Sequence, residues 1–275
     1  MTAALRLDEF VFIADFLKTR SGLALTADKL YLIESRLQPI ARAQGYTDVS
    51  DLIARMRAGS VNSVVQNEII EAMTTNESSF FRDTKPFEIF AKQVILKLRE
   101  LYPSMQTLRL WSSACSTGQE AYSLAIAFKE EEAKYGGLRC ELLGTDIADK
   151  VIERARKAHY SQFEVQRGLP IQYLLKYFKQ QPDNMWELNS IIRQMVTFKN
   201  VNLLAPLTGL GMFEVIFCRN VLIYFDEKTK TDVMNRMADV LVAGGFLFLG
   251  SAESTLGLSA RFKPVEGMNG VFTKV

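Results

Sequence analysis

The residues best placed to do chemistry sit where apolar runs end. Residues 110–123 read LWSSACSTGQEAYS: an apolar stretch gives way to small residues, passes a single glycine, Gly118, and continues into a helical pattern. That is the shape of a nucleotide-binding turn between a strand and a helix. Other apolar runs end in reactive types. Asp146 closes RCELLGTD, Arg219 and Asn220 follow MFEVIFC, and Ser251, Ala252 and Glu253 follow FLFLG. A ligand of an open parallel sheet lies beyond the carboxyl ends of its strands. Residues 114–120, from Ala114 to Glu120, and these other ends therefore form one candidate crevice.

The crevice lacks a seat for a diphosphate. A P-loop needs GxxxxGK[ST], but Gly118 is followed by Gln119 with no lysine nearby. A dinucleotide fingerprint needs GxGxxG, and one glycine is present. What remains is a loop of small residues that lets a ligand approach the backbone, and Asp146, which can accept hydrogen bonds from ribose hydroxyls. Glu120 brings a second carboxylate, and it equally suits the first turn of a helix, where the dipole favours it. Small residues, carboxylates and no phosphate seat suit a nucleoside such as S-adenosylmethionine, whose sulfonium a carboxylate tolerates. On spacing alone a methyltransferase and a divergent dehydrogenase both remain open.

A second cluster lies upstream. Residues 71–82 read EAMTTNESSFFR, where a bland polar linker would be expected. Phe80 and Phe81 read as packing residues. Arg82 beside them is more telling, because a buried guanidinium requires an anionic partner.

Composition narrows the chemistry. The chain has 275 residues, 48% of them hydrophobic, enough for one large or two modest domains. A net charge of +2 gives no general attraction to nucleic acid. No apolar run approaches a membrane span, and Asp8 and Glu9 interrupt any leader-like start, so a cytoplasmic protein is expected. Cys115, Cys140 and Cys218 are far apart with no CxxC, which argues against zinc and disulfides. The single histidine, His159, lies in RARKAHYSQF, a basic helix end. No metal is expected, and the chemistry should run without histidine.

The elements that must position these residues fall into two parts. Residues 1–75 read as helices only. TADKLYLIESRLQPIARAQG has Thr26 as a candidate N-cap and Leu30, Ile33, Leu37 and Ile40 at helical spacing. SDLIARMRAG and NSVVQNEIIEAM continue the pattern, the latter with Val65, Ile69 and Met73 on one face. DTKPFEIFAKQVILKLRE is a further helix, with Asp83 as a candidate cap and Pro86 in its first turn. From LRLWSSA onward strands and helices alternate, which implies a parallel doubly wound sheet over residues 76–275. Within it DEKTKTDVMNRMADVLVAGG reads as a helix ending at paired glycines, and RFKPVEGMNGVFTKV as a hairpin. Residues 161–200 break the alternation. With Pro170, the polar turn QQPDN, then MWEL and MVTFKNV, they read as a short helix and a small antiparallel insert at about 170–200.

TTNESSFFRD, ACSTGQEAYSLA, LGTDI, VNLL and FCRNVLIYF, in this order and spacing, resemble the CheR-type chemotaxis receptor methyltransferases. The resemblance covers nearly the whole chain. It implies a small all-helical N-terminal domain, then a Rossmann-like methyltransferase domain with a small antiparallel β insert. It also implies transfer of a methyl group from S-adenosylmethionine to glutamate side chains of bacterial chemoreceptors, giving glutamyl methyl esters and S-adenosylhomocysteine. Carried over by motif, Asn76, Ser78, Arg82, Glu120, Asp146, Asn202, Leu203, Arg219 and Asn220 line the cofactor site. Ser78 stands where other members often have Thr, and Gln119 where some have Glu; both keep hydrogen-bonding capacity.

A glutamate carboxylate, with a solution pKa near ~4.3, is already ionised at neutral pH and needs no base to attack a sulfonium methyl. By motif position Arg82 would hold it and Tyr224 would orient it. Lys29, Arg36, Arg42, Arg55 and Arg57 in the helical domain could meet the acidic methylation helices of a receptor. The insert resembles the family's β-subdomain, which in some members pairs with a tethered receptor pentapeptide. KQQPDN is short for that use, so no pentapeptide dependence is expected, and neither is an oligomer. A small-molecule methyltransferase and a non-catalytic cofactor-sensing adaptor are the main alternatives.

Overall fold

The computed structural model describes residues 5–275. The chain forms two compact units. One runs to Thr75 and takes in Tyr224–Thr229, and the other comprises Asn76–Ile223 and Lys230–Val275.

The first unit holds α1 (Leu7–Ser21), α2 (Leu30–Ala43), α3 (Val49–Arg57) and α4 (Ser63–Met73). Each helix buries one stripe, including Ile13 and Leu17, Ile33 and Leu37, Leu52 and Ile53, and Val65, Ile69 and Met73. Asp48 caps α3 by accepting from the Asp51 N–H at 2.9 Å, and Asn62 caps α4 by accepting from Val65 at 3.0 Å. Thr26 does not cap α2. A 3-10 turn (Ala27–Lys29) intervenes, and the Thr26 hydroxyl bonds Asp28. Four of the five cations expected to form a partner surface are engaged within this unit. Lys29 pairs with Asp28, Arg55 with Asp51 and Arg57 with Asp8, while Arg36 donates to the Met73 carbonyl at 2.8 Å and so closes α4. Arg42 is exposed.

The second unit opens with a continuous helix made of α5 (Lys85–Ile89), a π-helical turn (Phe90–Val94) and α6 (Ile95–Leu101). Pro86 lies in its first turn, as expected. Thr84 rather than Asp83 occupies the cap position, and the Asp83 carboxylate turns to Arg219. Then come β1 (Thr107–Ser112), α7 (Gln119–Glu131), β2 (Arg139–Asp146), α8 (Asp149–Lys157), β3 (His159–Ser161), α9 (Gln162–Gln166) and α10 (Ile171–Tyr177). They are followed by β4 (Phe178–Gln180), β5 (Met185–Leu188), α11 (Ser190–Arg193), β6 (Val196–Asn200), β7 (Phe213–Cys218), α12 (Glu227–Asp239), β8 (Leu241–Leu249), β9 (Phe262–Pro264) and β10 (Val271–Lys274).

The main sheet has the order β6-β2-β1-β7-β8-β10-β9. Its first five strands are parallel, and β10 and β9 add an antiparallel hairpin. The central strand is covered on both faces, so Leu108, Leu110 and Trp111 are all fully buried. Beside it the Phe217 and Phe248 rings stack at 4.1 Å.

Four sequence expectations need correction here. The antiparallel insert, ordered β3-β5-β4, begins at His159 and ends at Leu188 rather than filling about 170–200. MVTFKNV is not part of it, because β6 pairs parallel with β2 as the edge of the main sheet. The paired glycines do not end α12: they lie inside β8, where a bulge shifts the register against β7. His159 starts β3 instead of ending a helix, and its Nδ1 lies 2.6 Å from the Lys157 carbonyl. Among the described residues no helix is long and apolar enough to cross a membrane.

Candidate functional site

The strand order reverses beside β1: β2 and β6 lie to one side, β7 and β8 to the other. The carboxyl ends of β1 and β7 therefore open a crevice at the switch point, where ligands of such sheets bind. The loop leaving β1 is held there by main-chain bonds, from Ser113 to the Phe217 carbonyl at 2.8 Å and from Cys115 to the Thr145 carbonyl at 2.9 Å. Ser116 takes a left-handed φ of 49° and Gly118 a φ of 95°, which turns the chain into α7. Ala114, half-buried, sits in this loop.

Asp146 braces that turn. Its Oδ2 accepts from the Ser116 N–H at 2.9 Å and its Oδ1 from the Ala148 N–H at 3.1 Å. The Ser116 hydroxyl donates to the Asn76 carbonyl at 2.7 Å, which draws the linker to the loop. The Asp146 carbonyl accepts from Val201 at 2.9 Å, and so Asn202 and the buried Leu203 follow β6 beside it. Asn202 Oδ1 accepts from Leu204 at 2.9 Å. Ser78 and Asn76 also line a cleft with Thr117, Gln119 and Arg167.

The second cluster centres on Arg219, whose side chain is 1% exposed. Its guanidinium reaches Glu120 Oε2 at 3.2 Å, Asp83 Oδ2 at 2.5 Å and the Arg82 carbonyl at 3.1 Å. The guanidinium carbon lies 5.8 Å from the centroid of the Phe87 ring. Its Nε is buried with no protein partner. Glu120 also accepts from the Ser112 hydroxyl at 2.8 Å. The Arg82 segment is strained: Phe81, Asp83 and Thr84 have φ of 47°, 67° and 46°. Such strain in non-glycine residues persists where the surroundings impose it, and it concentrates at functional sites. Here the Phe81 N–H is tied to the Ser123 hydroxyl at 2.9 Å, and Arg219 holds the next carbonyl.

Burial pushes the Glu120 carboxyl up, against the Arg219 charge and the Ser112 hydrogen bond, which pull it down. Its folded-state value lies above the ordinary one, so the protonated form favours folding at low pH. That contribution is lost as pH rises from about 4.5 through the folded value. Glu120→Gln should therefore flatten the stability profile and gain on the parent between about pH 4.5 and about pH 7. Denaturant midpoints at the two pH values test this, and parallel profiles would contradict it. The thiols are also held protonated by burial, Cys140 up to about 12 and Cys115 well above its ordinary value, so none is poised as a nucleophile.

The structure thus ties Asn76 and Asp146 to the β1 loop, with Asn202 and Leu203 following β6, and joins Glu120, Asp83 and the main-chain carbonyl of Arg82 on the Arg219 guanidinium. Asn220 follows directly, with φ 58°. Tyr224 belongs to the helical unit, in a 3-10 turn (Leu222–Tyr224), where its carbonyl accepts from the Ala24 N–H at 2.9 Å. Sequence reasoning missed the Asp83 partnership, although its place next to Arg82 was a usable signal. It also missed Ser123, whose partner Phe81 lies 42 residues away in the chain.

This donor set fits a nucleoside with an amino-acid tail. A carboxylate ends β2, the loop after β1 is built of small residues, and a buried guanidinium keeps one N–H without a protein partner. Comparisons with known proteins agree. Residues 76–271 match the family model described as the SAM-binding domain of CheR methyltransferases, and residues 8–74 match its all-alpha domain. The chain is 36% identical to chemotaxis protein methyltransferase Cher2 of Pseudomonas putida, over 93% of this chain and 94% of the relative. It is 35% identical to chemotaxis protein methyltransferase 1 of Pseudomonas aeruginosa over 96% of both, and 34% identical to the chemotaxis protein methyltransferase of Vibrio parahaemolyticus over 97% and 96%.

Proposed function

The chain belongs to the CheR methyltransferase family and uses S-adenosylmethionine, and from that premise we propose that it methylates glutamate side chains of chemoreceptors to give γ-glutamyl methyl esters. When bound, the cofactor supplies a methyl group on a sulfonium, open to attack by a carboxylate oxygen.

In this reading Asp146 takes the ribose and the β1 loop the nucleoside, with Asn76, Ser78, Ala114, Asn202 and Leu203 around it. Arg219, Glu120 and Asn220 take the charged tail. Arg82 holds the incoming carboxylate by a charge-assisted hydrogen bond, and Tyr224 orients it through its hydroxyl. No proton has to move, so no base is required; the work is alignment and exclusion of water. The observation that carries this reading is the buried Arg219, which ties the Arg82 backbone to Glu120 at the strand exits. Acidic methylation helices of a receptor are the partner, met in part by Arg42 on the helical unit. The short turn between β4 and β5, residues 181–184, supports a mode of docking without a receptor pentapeptide.

The test is transfer of radiolabelled methyl from S-adenosylmethionine to membranes bearing candidate receptors, followed by mild base. Label released as volatile methanol is expected, since carboxyl methyl esters hydrolyse. Label that survives base would mean N- or S-methylation and would overturn the reading. In the same assay Arg82→Ala should lose roughly 10²-fold in kcat/KM, about the worth of a hydrogen bond to a charged group. Tyr224→Phe should lose about 10-fold. Near-normal turnover in either variant removes that residue from the mechanism.

A further inference from the structure

Glu253 lies past the end of β8, half-buried, and is not part of either cluster described above. Its carboxylate nevertheless gathers four main-chain donors. Oε2 accepts from Asn220 at 2.8 Å and from Gly250 at 2.7 Å, and Oε1 accepts from Val221 at 3.0 Å and from Ile223 at 3.3 Å. Three of these N–H groups belong to the turn that leaves β7 immediately after Arg219. Converging backbone N–H groups of this kind form a concavity for an anion, and here the chain provides the anion itself.

The turn needs that support. Asn220 has a φ of 58°, a conformation L residues adopt sparingly. At Gly250 a Cβ would stand 2.7 Å from Glu253 Oε2, 2.8 Å from Asn220 Nδ2 and 3.0 Å from Asn220 N. Only glycine lets the β8 exit come this close, so the two strand exits are fitted around one carboxylate.

We propose that Glu253 is a positioning residue for methyl transfer: its carboxylate clamps the β7 exit turn so that Arg219 and Asn220 are held in their cofactor-binding geometry. This rests on the reading above that the turn faces S-adenosylmethionine. Glu253 itself touches no reacting atom.

Glu253→Gln is the sharpest probe. Whichever way the amide is placed, an NH2 group replaces one oxygen and faces two N–H donors. The full-length protein is titrated calorimetrically with S-adenosylmethionine, and KM is measured separately for cofactor and acceptor. The cofactor Kd and KM should rise at least tenfold while the acceptor KM stays within twofold. Glu253→Asp, which keeps the carboxylate on a shorter arm, should recover part of the loss and serves as the second variant if Glu253→Gln folds poorly. A merely structural role would lower the melting temperature and leave the cofactor Kd unmoved, and that result overturns the proposal. Asn220→Ala separates the two layers. If it weakens cofactor binding and Glu253→Gln does not, only the positioning role falls. If neither weakens binding, the turn does not face the cofactor and both readings fall.

Discussion

Replacing Asp146 by alanine is expected to weaken S-adenosylmethionine binding by about 10²-fold or more, because a carboxylate that accepts from ribose hydroxyls makes charge-assisted bonds of roughly 1.5–3 kcal/mol each. The same change removes the acceptor for the Ser116 and Ala148 N–H groups. Each buried donor left without a partner costs about 1–3 kcal/mol, so stability should fall as well. Asp146→Asn separates the two effects. It keeps one oxygen and the side-chain volume, so it should retain much of the stability while still losing affinity. Calorimetric titration alongside thermal unfolding reads both. Parental affinity in the alanine variant would remove Asp146 from the cofactor site.

Gly168→Ala should be among the most damaging single changes to the fold. Gly168 has a φ of 91°, and a Cβ there would lie 2.1 Å from the Phe80 carbonyl oxygen. The left-handed conformation alone costs an L residue about 1–2 kcal/mol, and overpacking adds about 1–3 kcal/mol. A loss near ~3 kcal/mol or more is expected. The damage should not stay local. Phe80 packs edge-on against Tyr160 at 4.9 Å and Phe178 at 5.5 Å, and two residues later the chain reaches Arg82. Displacing the Phe80 backbone therefore moves the strained residues 81–84, and methyl transfer should drop further than the loss of folded protein accounts for. An unchanged denaturant midpoint, or activity that tracks the folded fraction alone, would contradict this.

The parts that were legible in the sequence rest on local rules. The periodic Val65, Ile69 and Met73 announce α4, and the loop around Gly118 announces a strand end without a phosphate seat. Asp146 announces the acid of the second strand. The parts that were not legible depend on partners far away in the chain. MVTFKNV alternates apolar and polar residues and would serve equally as an insert strand or as a sheet edge; its pairing with β2 decides, and β2 lies some fifty residues upstream, with Leu142 opposite Val196. Asp83 has the type and place of a helix cap, but the buried charge of Arg219, with a sequence separation of 136, outbids the helix for it. Thr26 is the local exception: its hydroxyl goes to Asp28, two residues on, and a 3-10 turn intervenes before α2. Glu253 is legible as an acid at a strand exit, but the β7 exit turn that it clamps shows only in the fold. The paired glycines signal a helix end by composition, whereas the bulge in β8 is what uses them.

The switch point also orders events in time. β1 pairs on one side with β2, joined to it by a single helix, and on the other with β7, where Arg109 meets Glu214 across a separation of 105 residues. Bringing those ends together carries the larger loop-closure entropy, and contacts of such range form slowly. A chain with β1, α7 and β2 in place would have Asp146 and Ser116 in contact but no Arg219 beside Glu120. Arg219 reaches Glu120 only when β7, far along the chain from β1, has docked. S-adenosylmethionine, by binding the finished pocket and not its halves, would then reward that long-range step of folding, adding RT ln(1 + [L]/Kd) to the stability of the assembled sheet.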